Sequence, residues 1–274
     1  MSALWRELGV NLLIHLIYFV GVLYLVGWGI HLLSRMFYRM LGGGRLICMA
    51  TGLIGTPIHE LSHALMCLLF GHRIREMRLY RFDRQSGVMG YVNHTYDRRN
   101  FYHIMGNYFI GIAPIFLGTL FLCLLMRLLV PDAYGQFSLY LSDFADWQAQ
   151  GYVAEQFLGV GAVFISFLTV LLNAIHGWQF WVFLLLALCV SLHMSLSWGD
   201  IRGSLTALPV LIFLLSVIHI ALYFLPGEAY GVFTRALNLA GAYLAGILLF
   251  SLALSLCSLL LALPIALLRR LCRR

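Results

Sequence analysis

The chain is 274 residues long, 62% hydrophobic and only 11% charged, with a mean hydropathy of +0.89, which excludes a soluble globular domain and implies a polytopic membrane protein. Its basic residues are all arginine, 18 against 11 acids for a net charge of +7; without lysine, serine–lysine dyads and Schiff-base chemistry are excluded. The arginines cluster beside apolar segments, as at cytoplasmic membrane flanks, so a lipid bilayer and not nucleic acid is the expected partner.

Residues 10–32 form the first expected span, retained because no small-residue cleavage site follows the apolar run. Residues 46–70 form the second. In the loop 71–100, apolar Ile74, Met77, Leu79, Tyr80 and Phe82 are interleaved with arginines and followed by Gly87 to Gly90 and Tyr91-Val92. That pattern predicts a short β-hairpin over 74–92, whose open edge would align a substrate as an added strand. Residues 101–129 form a third span, followed by an acidic loop, 130–155, with Asp132, Asp143, Asp146 and Glu155. Segment 155–175 is apolar enough to cross but follows the acidic loop, and is expected to lie re-entrant or along the interface. Spans at 178–198, 204–225 and 236–268 complete the chain.

Charge sets the topology. The loop 71–100 holds seven arginines against three acids, while 130–155 is purely acidic, so the first is expected in the cytoplasm and the second outside. An Arg-rich C-terminus on the cytoplasmic side then requires three crossings after the acidic loop, leaving 155–175 uncrossed. Arg35, Arg39 and Arg45 run against the scheme by falling outside. The expected fold is thus all-α and polytopic, with about six transmembrane helices, one re-entrant or interfacial helix and a short membrane-associated β-hairpin. It forms a single domain over residues 1–274, in a membrane of the bacterial inner (cytoplasmic) type. The six cysteines, Cys48, Cys67, Cys123, Cys189, Cys257 and Cys272, are dispersed and read as small core residues.

The segment with most chemistry is His59-Glu60-Leu61-Ser62-His63, inside the apolar stretch 46–70. Residues four apart share a helix face, so His59 and His63 can offer two imidazole nitrogens to one tetrahedral zinc, with Glu60 in reach of its water as general base. Phe70 lies roughly 16 Å beyond His59, which puts the first histidine well inside the hydrocarbon layer, where ionisable groups are functional by default. A helix-packing cluster with hydrogen-bonded histidines is the plainer alternative. A third ligand is needed, and the candidates are Asp200, His193, His94, His103, His72 and Asp97. Charge accounting favours an aspartate, because Zn²⁺ with one carboxylate and ionised Glu60 sums to zero in a low-dielectric setting. Asp97 sits beside Arg98 and Arg99, so Asp200, in region 193–203 and near Arg202, is preferred.

The residues resemble the site-2 protease class, the M50 group of intramembrane metallopeptidases, over roughly residues 46–210. The matching parts are HELSHALMCLLFGHRI, the GYVNH segment, and Gly111-Ile112-Ala113-Pro114. The family completes its zinc site with an aspartate from a later span, best matched here by Asp200 in HMSLSWGDIRG, although the usual asparagine-proline and Asp-Gly context is absent. The resemblance implies zinc-dependent endopeptidase activity on transmembrane or membrane-proximal proteins. Tyr91, Val92 and His94 of the hairpin are expected to touch substrate, His94 also as an oxyanion donor. No GxSG serine nucleophile is present, and Tyr96-Asp97 with Ser197-Trp198-Gly199-Asp200 is a poor match to an aspartyl pair. The rival from another class is a non-catalytic metal-binding scaffold or a protein that binds transmembrane helices, against which an intact Glu60 argues.

Overall fold

A computed structural model describes residues 2–43, 45–82, 88–150 and 165–271. Helix α1 (Ser2–Leu16) passes through a π-helical turn, Ile17–Val22, into α2 (Leu23–Met40). Helix α3 (Arg45–Leu69) carries the HExxH motif and is followed by strands β1 (Arg73–Arg78) and β2 (Tyr91–Thr95). Then come α4 (Phe101–Leu129), α5 (Pro131–Gln150), α6 (165–173), α7 (Trp178–His193), α8 (Trp198–Tyr223) and α9 (Ala229–Leu271). The chain is mostly helical, with one small antiparallel hairpin.

Local chemistry fixes the boundaries that matter. The Asn100 side chain accepts the Tyr102 N–H at 2.9 Å and starts α4. Ser197 and Asp200 form a reciprocal capping box at the start of α8, with Ser197 Oγ accepting from Asp200 N at 3.2 Å and Asp200 Oδ2 accepting from Ser197 N at 2.7 Å. At the end of α3, Gly71 adopts φ +70°, while His72 N donates to the Cys67 carbonyl at 2.8 Å and Gly71 N to that of Leu68 at 3.2 Å. This is a Schellman termination, which needs the left-handed conformation that glycine takes without strain.

Among the described residues, four segments are long and apolar enough to cross a membrane: Trp5–Met40, Phe101–Leu129, Trp198–Tyr223 and Ala229–Arg269. Helix α3 has the length, but His59, Glu60 and His63 lower its hydropathy below theirs, and α7 is shorter, at 16 residues. Helix α4 is the hub, packing on α3, α5, α7, α8 and α9. One apolar core joins α4, α5, α6, α7 and α9 through Leu122, Phe137, Phe167, Phe183 and Phe250; another joins α2, α4, α8 and α9 through Ile30, Ile115, Ala207 and Leu248.

Several sequence expectations need correction. The acidic stretch 130–155 is not a loop but, through residue 150, the helix α5. Its Ala133, Phe137, Leu141 and Phe144 recur every three or four residues and are buried, a periodicity that the acids on its other faces mask. Of the expected interfacial segment, 155–164 lies outside the described residues and 165–173 is helical. Helix α7 stops at His193, and α8 begins at Trp198 instead of 204, because the capping box places the boundary before the apolar run. The hairpin extends past the expected 74–92 at both ends, from Arg73 to Thr95, with a bulge between Ile74 and Glu76; residues 83–87 lie outside the described set.

A buried polar chain ties α1, α8 and α9 together. His15 Nδ1 and His219 Nε2 are 3.0 Å apart, His15 Nε2 meets Asn238 Oδ1 at 3.1 Å, and Tyr230 Oη joins His219 Nδ1 at 3.3 Å to Asn11 Nδ2 at 3.1 Å. Lipid gives little hydrophobic drive between helices, so such bonds and close packing specify which helices meet. Replacing His219 with leucine strands the fully buried His15 nitrogen and is expected to lower stability by about 0.5–2 kcal/mol. Thermal unfolding in detergent checks this, with Ser216→Ala on the exposed face as the neutral reference; equal stability of the two variants would remove the network from the account.

Candidate metal centre

His59 and His63 project from one face of α3, with ring centroids 4.9 Å apart. Each uses Nδ1 to meet a backbone carbonyl: His59 that of His193 at 2.7 Å, and His63 that of Ile110 at 2.8 Å. A carbonyl can only accept, so both Nδ1 atoms carry the proton, and in the neutral rings both Nε2 atoms present lone pairs. Those Nε2 atoms face one another at 3.2 Å. Asp200 approaches from the first turn of α8, with Oδ1 3.2 Å from His63 Nε2 and Oδ2 3.7 Å from His59 Nε2. Three acceptors therefore converge on one point, an arrangement that a cation satisfies.

The spacing fits the donor set. Tetrahedral coordination with bonds of about 2.0–2.1 Å sets ligand atoms roughly 3.3–3.5 Å apart, close to the 3.2–3.7 Å observed here. His59, His63 and Asp200 thus form a group that could hold a metal ion, and backbone acceptors fix both rings in the manner usual for ligating histidines. Among the described residues, the ion-pair partners of Asp200 are these two histidines, not Arg202.

Both orienting carbonyls are ones that their own helices leave free. Ile110 lies four residues before Pro114, which has no N–H to donate back to it. His193 ends α7, where carbonyls have no partner within the helix. Two glycines allow the required approach. A Cβ at Gly55 would lie 2.2 Å from the Cys189 carbonyl and 2.8 Å from His193, holding α3 away from α7; one at Gly111 would lie 2.5 Å from the Asp200 carbonyl, holding α4 away from α8.

Glu60 is buried beside the histidines and lines a cavity of about 380 Å³ with His59, His63, Asn107 and Asp200. Tyr91, Val92 and His94, all expected from sequence to face substrate, line the same cavity. Gly90 brings the hairpin onto the motif helix, since a Cβ there would be 2.8 Å from Glu60 Cγ and 2.9 Å from Thr56 Cγ2. A second cavity of about 390 Å³ shares His59, Glu60, Val88 and Gly90, so the motif borders both. His94 is held neutral, its pKa lowered to about 4 by burial and then by His72 and His63.

The other third-ligand candidates lie elsewhere. The His193 ring turns to the Cys189 carbonyl at 3.0 Å, and only its backbone serves the centre. His72 pairs with His94, His103 Nδ1 accepts from Asp97 N at 3.2 Å, and Asp97 Oδ1 accepts from Arg99 N at 2.8 Å. Sequence reasoning missed Asn107, a buried residue of the cavity whose Nδ2 has no hydrogen-bond partner among the described residues. Its position four residues before Gly111, on the same face of α4, was the available signal.

No family model, curated protein or solved structure matches the chain.

Pro114→Ala restores an N–H that competes for the Ile110 carbonyl, so the affinity for a divalent metal ion at His59, His63 and Asp200 should fall about 10–100-fold with those three residues intact. Competitive chelator titration measures this, and unchanged affinity would mean that the free carbonyl does not orient His63.

Proposed function

We propose that the chain is an intramembrane zinc-dependent endopeptidase of the site-2 protease kind, acting on transmembrane or membrane-proximal protein segments. The observation that carries this is the convergence of two oriented imidazoles and a carboxylate beside a buried glutamate, in a cavity bordered by a β-hairpin. His59, His63 and Asp200 would hold the ion. Zinc bound there supplies Lewis-acid polarisation of a peptide carbonyl and an acidified water. Glu60 takes the proton of the attacking water and returns it to the leaving amine nitrogen. Asn107 Nδ2 is free to donate to a carbonyl oxygen of the substrate. Tyr91 and Val92 present an extended edge along which an unwound substrate segment pairs by backbone hydrogen bonds, because helical carbonyls are already bonded and cannot be cleaved in place.

The same proposal includes the finer topology. Helices α3 and α7, added to the four long apolar segments, give six crossings, with 71–100 and the C-terminus in the cytoplasm of a bacterial-type inner membrane. Helices α5 and α6 are the non-crossing pair. Their Phe137 and Phe167 both meet Phe250 along α9, with ring centroids 4.6 and 6.0 Å away, which supports a re-entrant arrangement over one flat on the interface.

Glu60→Gln tests the chemistry, because it removes the base and leaves the ligands. With a membrane-embedded peptide that the wild type cuts, the variant should lose at least about 100-fold in turnover at unchanged zinc content. Near wild-type turnover would contradict the role given to Glu60.

A further inference from the structure

A second cluster of metal-binding atoms lies about one turn beyond the motif, at the C-terminal end of α3. Cys67, fully buried, and His72 are brought together by the Schellman turn, in which the His72 N–H returns to the Cys67 carbonyl. The hairpin adds His94, which pairs with Ile74 in the sheet register and sets its Nδ1 3.0 Å from His72 Nδ1. The sulfur and one nitrogen of each ring all lie within 4.8 Å of one another. The His72 ring is fixed on both sides: Tyr96 stacks on it at 4.8 Å, and its Nε2 donates to the His103 carbonyl at 2.8 Å. That hydrogen bond places the proton on Nε2 and leaves the Nδ1 lone pair aimed at His94, the same construction that orients His59 and His63.

We infer that Cys67, His72 and His94 form a second metal site, which takes one zinc-class divalent ion with a thiolate and two imidazoles as ligands. Bonds of about 2.3 Å to sulfur and 2.0–2.1 Å to nitrogen set the ligand atoms roughly 3.3–3.6 Å apart. The cluster reaches that spacing by drawing the sulfur inward and opening the 3.0 Å histidine pair slightly. The ion displaces the thiol proton, so the buried sulfur becomes a thiolate only when loaded. Such an ion would join the last turn of α3 to strand β2, and so clip the hairpin that borders the cavity to the helix that carries His59, Glu60 and His63. The site contains a sulfur ligand and the His59–His63–Asp200 centre does not, so the two are spectroscopically separable.

The test is titration of the metal-free, full-length protein in detergent with Co²⁺, following the near-ultraviolet thiolate-to-cobalt charge-transfer band and the ion-to-protein ratio. The expected result is two ions per chain and a charge-transfer band that persists in Asp200→Ala. Cys67→Ser should abolish the band and lower the ratio to one. A variant that keeps Cys67 and carries serine at the other five cysteine positions should retain the band, which also guards against loss through misfolding. Absence of the band from the wild type, its persistence in Cys67→Ser, or its absence from the chain retaining Cys67 alone would overturn the site and leave His94 and His72 as a hydrogen-bonded pair.

Discussion

Two imidazoles that spend their Nδ1 protons on backbone carbonyls have nothing left to offer one another but lone pairs. At 3.2 Å, with a carboxylate oxygen equally near, three acceptors meet while both rings are neutral, and a cation shared among them, a proton or a metal ion, resolves the clash of lone pairs. The carbonyls have to be free for this to happen. One is freed by Pro114 and the other by the end of α7. Gly55 and Gly111 are then required because the helices carrying those carbonyls and Asp200 must approach more closely than a Cβ permits. Features as far apart as residues 55, 111, 114 and 193 thus share one cause, the orientation of two rings.

The hairpin stands in a similar relation to the catalytic proposal. It is too short to be stable alone, and it is held by contacts to α3: Gly90 against Glu60 and Thr56, the Tyr80 hydroxyl donating to the Met49 carbonyl at 2.8 Å, and the histidine pair at its base. The strand that lines the cavity is therefore anchored to the helix that carries the motif. Any change that loosens the hairpin is expected to act on substrate alignment before it acts on the ion at His59 and His63.

Much of this was legible in the sequence because its signals are local. The HExxH spacing places two rings on one helix face, the apolar run 101–129 marks α4, and glycines beside Tyr91-Val92 mark the hairpin. What escaped is non-local or masked. The ring of His193 seemed able to reach the centre from two turns before Asp200, yet α7 ends at that residue and only its carbonyl arrives. Acid content concealed the apolar face of α5. The buried His15–His219 pair could not be read at all, because it joins residues 204 positions apart on two different helices.

The account rests most directly on Asp200 as the third ligand, with His193 acting only through its main chain. Zinc content and affinity of Asp200→Ala and His193→Ala, measured on the purified full-length chain, separate the two. Asp200→Ala should lose the ion held by His59 and His63, whereas His193→Ala keeps its carbonyl and should hold the ion with near wild-type affinity. Loss of that ion from His193→Ala together with its retention in Asp200→Ala would contradict the ligand set.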